Sequence, residues 1–292
     1  MRRVVVALLA VGLALVACPQ ARAQGEGDAA ETERQVDALN REARTLYAAG
    51  KYQEALEVAE KALELARSGL GEEHPDTFTS MNNLAVLYES QGRYLEAEPL
   101  KLRTLELRKK VLGEEHPDTL TSMNNLAVLY QSQGRYADAE PLYLRTLQLR
   151  TKVLGEEHPG TLRSMDNLAA LYQSQGRYAE LEPLCLRTLQ LRKRILGEEH
   201  PDTLSSMSCL ALLYKSQGRY ADAEPLYLRT LELKKKVLGE EHPDTLTSMN
   251  NLAVLYDSQG RYSDAEPLYL RALEVRKKVL GEEHPDTLSS MN

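Results

Sequence analysis

Several residue types that stabilise most globular domains are scarce in this chain of 292 residues. It contains no tryptophan, one phenylalanine and three cysteines. Its aromatic content is 15 tyrosines, most of which recur at fixed places, as packing positions do. This distribution does not resemble the aromatic platforms on which nucleic-acid bases stack.

An excess of positive charge is also missing. The 36 lysines and arginines are outnumbered by 43 aspartates and glutamates, and no long basic run occurs. Binding to nucleic acid depends mainly on phosphate neutralisation by such runs, so we do not expect a nucleic-acid partner.

Motifs that carry chemistry are missing as well. The sequence has no GxxxxGK[ST], GxSxG, HExxH or CxxC motif, and no spacing suggests a set of His, Ser and acid. We therefore expect no enzymatic activity and no cofactor.

The N-terminal residues 1–23 are predicted to be a signal peptide. Basic MRR precedes the apolar stretch VVVALLAVGLALV, which is short for a membrane span. ARA at 21–23 fits signal-peptidase cleavage, whereas LVAC at 15–18 resembles a bacterial lipobox that would lipidate Cys18. An uncleaved anchor is a third alternative. We expect an exported protein, periplasmic or extracellular, with no membrane span in its mature form, or a lipoprotein anchored through Cys18.

Residues 24–33, QGEGDAAETE, have almost no apolar content and are predicted to be a flexible linker.

A period of 42 residues dominates the rest of the sequence. GEEHP begins at residues 71, 113, 155, 197, 239 and 281, and residues 116–157 differ from 242–283 at only six positions. We divide the repeat domain 34–292 into copies at 34–73, 74–115, 116–157, 158–199, 200–241 and 242–283, with a partial copy at 284–292. Close copies of one unit bury their apolar faces by stacking on their neighbours.

Each copy is predicted to form two helices, A and B. Apolar residues at helical spacing are Leu120, Met123, Leu126, Ala127 and Tyr130 in helix A, and Tyr136, Ala139, Leu142, Tyr143, Leu147 and Leu149 or Val153 in helix B. Pro117 and Gly134 would bound helix A, and Gly155 would end helix B. Whether Pro141 lies in the first turn of helix B or inside it stays open.

Three substitutions interrupt the regular pattern. Leu181 stands where most copies have alanine, which predicts local repacking. Cys185 and Cys209 replace other residues, such as Tyr143 and Asn125. We interpret both cysteines as substituted packing residues rather than as a disulfide.

The repeated GEEHP has two interpretations. A metal site, with metal-assisted hydrolysis, needs three or four ligands converging on one point, whereas these histidines should be spread along the array. In the favoured interpretation GEEHP is a structural joint, where Gly113 ends helix B, Pro117 starts helix A and His116 flanks that start.

The sequence pattern resembles the tetratricopeptide repeat. The resemblance rests on Met123, Leu126, Ala127 and Tyr130, then Gly134, Arg135, Tyr136, Ala139 and Tyr143, and the period is similar to that of kinesin light chains and many bacterial repeat proteins. It implies an all-α, right-handed superhelix of about six helix pairs. It also implies a scaffold or adaptor whose A helices line a concave groove for a peptide or a partner helix.

Neutral amides are candidate peptide contacts in that groove. They are Asn82, Asn83, Asn124, Asn125, Asn167, Asn250 and Asn251. Amides both donate and accept, so a series of them can pair with an extended backbone. Contact of this kind at Asn83, Asn125, Asn167 and Asn251 is implied by the resemblance to kinesin-type repeats. Alternatively, these residues hydrogen-bond between adjacent helices.

One copy carries charge on helix A that the others lack there. Arg163 and Asp166 replace Thr or Ser and Asn or Ser, so any sequence preference for a partner is expected at these two residues.

Two expectations concern larger assemblies. The repeats form either a binding scaffold or a regulatory sensor array belonging to a larger effector protein. The partial copy would leave Leu268 and Leu273 exposed, which would favour self-association.

Overall fold

A computed structural model describes the backbone of residues 19–283 and 287, and the side chains of residues 28–279, 281–283 and 287. Within these residues the chain forms twelve α-helices and no β-strand. They are α1 (Pro19–Ala48), α2 (Tyr52–Gly69), α3 (Pro75–Ser90), α4 (Tyr94–Leu112), α5 (Pro117–Ser132), α6 (Tyr136–Leu154), α7 (Pro159–Ser174), α8 (Tyr178–Leu196), α9 (Pro201–Ser216), α10 (Tyr220–Leu238), α11 (Pro243–Ser258) and α12 (Tyr262–Leu280). The signal-peptide expectation falls almost entirely, and that for Cys18 fully, outside the described residues.

The helices belong to two compact units, Met1–Glu114 with α1 to α4 and Glu115–Asn292 with α5 to α12. Within each unit every helix packs against the next, and α1 also contacts α3, as α5 contacts α7. The odd-numbered helices are called A helices below, and the even-numbered ones B helices. The predicted all-α class with about six helix pairs is confirmed.

The A helices begin and end where the sequence predicts. Helix α5 starts at Pro117, where the missing N–H has no partner in any case, and ends at Ser132. Gly134 follows with a φ of 72°, a left-handed conformation that glycine adopts without steric cost.

The turn from an A helix to its B helix is held by an arginine. In the fourth copy the Arg177 guanidinium lies 4.4 Å from the centre of the Tyr172 ring, a cation–π contact. The same side chain donates to Glu140 of the preceding copy over 2.6 Å. One arginine thus links two successive repeats.

The B helices α4, α6, α8, α10 and α12 each end at a glycine with an unusual backbone. Gly155 has φ 86° and ψ 162°, a region that essentially only glycine occupies. Near the other end, Pro141 lies beyond the first turn, inside α6 (Tyr136–Leu154). Its ring nitrogen has no hydrogen to donate, so one helical hydrogen bond is missing there.

Most of the predicted core positions are buried, whereas Tyr136, Leu142 and Leu147 of helix B are half-buried. Leu120, Met123, Leu126, Ala127 and Tyr130 of α5 are all buried, as are Ala139 and Tyr143 of α6. Of the two alternatives for the last core position of helix B, Leu149 is buried and Val153 is exposed.

Leu181 is accommodated by a second substitution. It is 1% exposed, although other copies bury an alanine at this place. Four residues later on the same helix face, Cys185 stands where other copies bury the larger Tyr143 or Tyr227. A larger and a smaller residue in adjacent turns approximately conserve core volume, which cores tolerate best.

Residues 24–33 are helical rather than a flexible linker, because α1 runs from Pro19 to Ala48. Alanine and glutamate in this stretch are good helix formers, and the helix continues into buried Val36 and Ala43.

Of the helices described, none is long and apolar enough to cross a membrane. Near the other end, Leu268 and Leu273 are half-buried, whereas Leu270 and Tyr262 are exposed.

Replacing Gly155 with alanine should lower the free energy of unfolding by about 1–3 kcal/mol, because a Cβ strains this backbone region. Denaturant unfolding followed by circular dichroism measures the loss. The matched control is Gly160→Asp: Gly160 is helical, without a positive φ, and other copies carry Asp118 or Asp202 there. The control should not lose stability, and an equal loss in both variants would contradict the backbone explanation.

Candidate interaction surface

The histidines of GEEHP cap the A helices. His158 is the N-cap residue of α7, and its Nδ1 accepts a hydrogen bond from the Gly160 backbone N–H over 3.0 Å. His200 caps α9 in the same way, with 3.1 Å between Nδ1 and the Asp202 nitrogen. Such a bond satisfies one of the backbone donors that a helix start leaves unpaired.

Both glutamates of the joint pair with a cation of the following B helix. Glu198 pairs with Arg229 over 2.6 Å, and Glu199 pairs with Lys236. Equivalent pairs join Glu156 to Arg187 and Glu157 to Arg194. Because these side chains are largely solvent-accessible, each pair stabilises the fold only weakly.

Capping and ion pairing therefore account for the side chains of the joint, as the structural interpretation predicts. Among the described residues no three His, Cys, Asp or Glu side chains come close enough to hold one metal ion.

Three of the predicted peptide-contact amides bond to a neighbouring A helix. The Asn167 Nδ2 donates to Asn124 Oδ1 over 2.8 Å, which joins α7 to α5. In the other unit Asn83 Nδ2 donates to Asn40 Oδ1 over 3.0 Å, which joins α3 to α1, and Asn40 donates to Ser80 over 2.9 Å. Buried Asn40 was not predicted, although it occupies the place of Asn124 two periods earlier.

These contacts support the interhelix interpretation for Asn83, Asn124 and Asn167. Asn124 is only 8% exposed, so little of its amide is accessible to a ligand. The other candidates are half-buried: Asn82, Asn125, Asn250 and Asn251. Peptide contact stays a prediction for all seven amides.

The two charged residues predicted to set partner preference lie in different environments. Asp166 receives both Nη1 and Nη2 of Arg192, with Nη1 at 3.1 Å, and Arg192 also donates to Ser206 over 2.6 Å. Arg163 is exposed. The charge of Asp166 is therefore already matched within the fold, whereas that of Arg163 faces solvent.

Arg150, near the end of α6, is a buried cation that the sequence did not single out. Its side chain is 3% exposed and donates to neutral oxygens: Gly160 O at 2.9 Å, Ser164 Oγ at 2.9 Å and Thr121 Oγ1 at 3.4 Å. In the part of the chain that the structure describes, no carboxylate forms an ion pair with it. Burial lowers the pKa of Arg150, and the charge of Arg163 lowers it further.

The repeat pattern contains an indication that Arg150 has a defined position. The copies from the second to the sixth carry a basic residue at this place, whereas the first copy has Ala66; the basic residues are Arg108, Arg150, Arg192, Lys234 and Arg276. A basic residue at the same place in five successive copies favours a positioned side chain over a solvated one.

The fold and the joints define a helical repeat protein, and comparison with known proteins gives its family. A family model described as tetratricopeptide repeat matches residues 34–110, 83–152, 124–180, 165–236 and 205–278. The chain belongs to the tetratricopeptide repeat family. No curated protein matches it significantly.

Solved structures extend the comparison. A Podosopora anserina protein described as a kinesin light chain with nearly identical TPR-like repeats shares 30% identity at a TM-score of 0.63, over 69% of this chain and 95% of that one. BtubC (BKLC) from P. vanneervenii shares 22% identity at a TM-score of 0.63, over 89% and 94%. A Pyrococcus horikoshii STAND protein with a tetratricopeptide repeat sensor reaches a TM-score of 0.67 at 13% identity, over 85% and 38%. The last two show similarity of fold alone.

Replacing Asn167 with alanine should lower the free energy of unfolding by about 1–3 kcal/mol, because the buried Asn124 carbonyl oxygen loses its donor. Denaturant unfolding measures this change. Asn251→Ala is the control, since Ser208 stands in the place of Asn124 there and donates to the Leu204 carbonyl instead. Equal losses in both variants would contradict a specific amide pair.

Proposed function

We propose that this chain is a non-catalytic interaction scaffold that binds an extended segment of a partner protein along its A helices. An acidic group of that segment contacts exposed Arg163 and lies close to the buried charge of Arg150. The family supports the general role, because tetratricopeptide repeats are protein-interaction modules. The preference for an acidic partner rests on one observation. Among the described residues, no carboxylate forms an ion pair with the neighbouring cations Arg150 and Arg163.

Comparison between copies shows how unusual Arg150 is. Its counterpart Arg192 has Asp166 as an ion-pair partner. Its counterpart Lys234 donates to the Asp244 backbone carbonyl over 3.4 Å, and the charge of Asp244 opposes the lowering of the Lys234 pKa by burial.

At Arg150 both acids are replaced. Asn124 occupies the place of Asp166, and Gly160 occupies the place of Asp244. Arg163 adds a second positive charge where other copies have threonine or serine. Relative to the other copies, Gly160 and Arg163 thus both shift the local charge in the positive direction, while Asn124 is the residue that most copies share.

Such a site gains stability when an anion binds. Burying a cation without a counter-ion is costly, and a like charge nearby adds to that cost. A carboxylate that binds Arg163 through charge-assisted hydrogen bonds neutralises the like charge and supplies a nearby negative charge for Arg150. Exposed Arg163 can make the first contact, while Arg150 is fixed by its three neutral acceptors.

Panning a random-sequence peptide library against the purified chain tests this function. Selected peptides should be enriched in Asp and Glu, and their affinity should fall as salt concentration rises. Arg163→Thr restores the residue of other copies and should weaken these peptides about fivefold to tenfold, or about 1 kcal/mol.

Arg145→Thr is the matched control, because it makes the same charge change on an exposed position of α6. It should leave affinity within about twofold, as long-range charge effects are screened. Acid-rich peptides that bind the wild type and Arg163→Thr equally would contradict the acidic site but leave the scaffold role intact. A library that yields no binders would contradict both.

We also propose that the protein is exported, on the basis of residues 1–23. Intact mass spectrometry of the protein recovered from a bacterial host should show a chain that starts at Gln24. A mass that starts at Cys18 and carries lipid indicates the lipoprotein alternative. A full-length mass in the cytosolic fraction would contradict export.

A further inference from the structure

The two cysteines of the repeat domain lie next to each other. Cys185 is on α8 and Cys209 is on α9, and their Sγ atoms are 3.8 Å apart. Cys185 is buried and Cys209 is half-buried. Their interpretation as two unrelated packing substitutions overlooked that they belong to successive helices of the array.

We propose that Cys185 and Cys209 form a redox site, in which a reversible disulfide covalently ties helix B of the fourth copy to helix A of the fifth. A disulfide needs the sulfur atoms about 2.05 Å apart. From 3.8 Å, this requires each sulfur to move by roughly one ångström, which rotation of the two side chains can supply.

Size substitution makes room for the pair. Tyrosine fills the place of Cys185 in neighbouring copies, and asparagine fills that of Cys209, as Tyr143 and Asn167 show. The smaller residues leave a cleft of about 100 Å³, which both cysteines line together with Asp166 and Gln173. Partly exposed Cys209 is accessible to a reagent, whereas Cys185 is buried.

The environment favours Cys209 as the attacking group. A hydrogen bond from the Cys185 thiol lowers the pKa of Cys209, and the positive charge of Arg192 acts in the same direction, against burial and the charge of Asp166. The same hydrogen bond and burial raise the pKa of Cys185. The thiolate is the nucleophile in disulfide exchange, so Cys209 reacts first.

The oxidant is a low-molecular-weight or protein disulfide. The Cys209 thiolate attacks one sulfur of that disulfide, a mixed disulfide forms, and the first thiolate leaves. Cys185 then loses its proton, and its sulfur attacks Cys209 Sγ, which releases the second thiolate. Two cysteines lose two electrons and two protons, and the oxidant is reduced to two thiols.

The bridge goes beyond the proposed binding function and does not depend on it. It would close a chain segment that contains the whole joint from Gly197 to His200. Closing this loop removes conformations from the unfolded chain, so the oxidised form should be the more stable one. No other pair of neighbouring copies can form such a disulfide, because the equivalent places hold no cysteine.

The test equilibrates the full chain in buffers of varied ratios of reduced to oxidised glutathione, then alkylates the remaining thiols. Under oxidising ratios the mass should fall by two hydrogen atoms, and trypsin should release residues 178–187 linked to residues 195–215. The thermal midpoint of the oxidised form should rise on the order of 5 °C. Addition of dithiothreitol should reverse both changes.

Three variants keep the outcome decisive. Cys209→Asn restores the residue of other copies and should fold without an oxidation-dependent shift. Cys185→Ala should accumulate a mixed disulfide with glutathione at Cys209, and Cys18→Ser should form the same linked peptides as the wild type. The proposal is overturned if both thiols of the wild type remain free at the most oxidising ratio. It is also overturned if they carry separate glutathione adducts without the 185–209 link.

Discussion

The joint between a B helix and the next A helix is the constraint on which the array depends. Glycine ends one helix in a conformation closed to other residues, and a histidine ring starts the next by accepting a backbone hydrogen bond. Threonine completes the joint, since Thr203 Oγ1 donates to the Gly197 carbonyl over 2.8 Å. The threonine bond is present in three joints, whereas the histidine cap recurs at the start of each A helix from α3 to α11. Side chains one period apart therefore meet similar surroundings. Differences between copies can therefore be compared position by position.

The fourth copy holds most of the departures from the shared pattern in the repeats at 74–283. Gly160, Arg163 and Asp166 change charge on or near helix A, while Leu181 and Cys185 change volume on helix B. The volume changes compensate one another within the core, but the charge changes around Arg150 do not. An uncompensated charge in an otherwise satisfied fold is the stronger indication of a ligand, because structural stability alone does not explain it.

Sequence periodicity predicted the helices, their ends and the core, because glycine, proline and apolar spacing act locally. It could not distinguish an amide that contacts a partner from one that bonds across helices: Asn167 and Asn124 are 43 residues apart, and only packing brings them to 2.8 Å. Burial of Arg150 was missed for the same reason, since cations near a helix end usually point to solvent. The helix over residues 24–33 was missed because low apolar content was given more weight than helix propensity.

The inter-repeat ion pairs reach no further than one neighbouring copy, as the pairs from Glu199 to Lys236 and from Glu157 to Arg194 illustrate. Insertion or deletion of a whole 42-residue module within the array would consequently regenerate the same joint at the new boundary. The number of modules is thus free to change by recombination between near-identical segments of the gene, and the protein can lengthen or shorten its array in steps without redesigning a core.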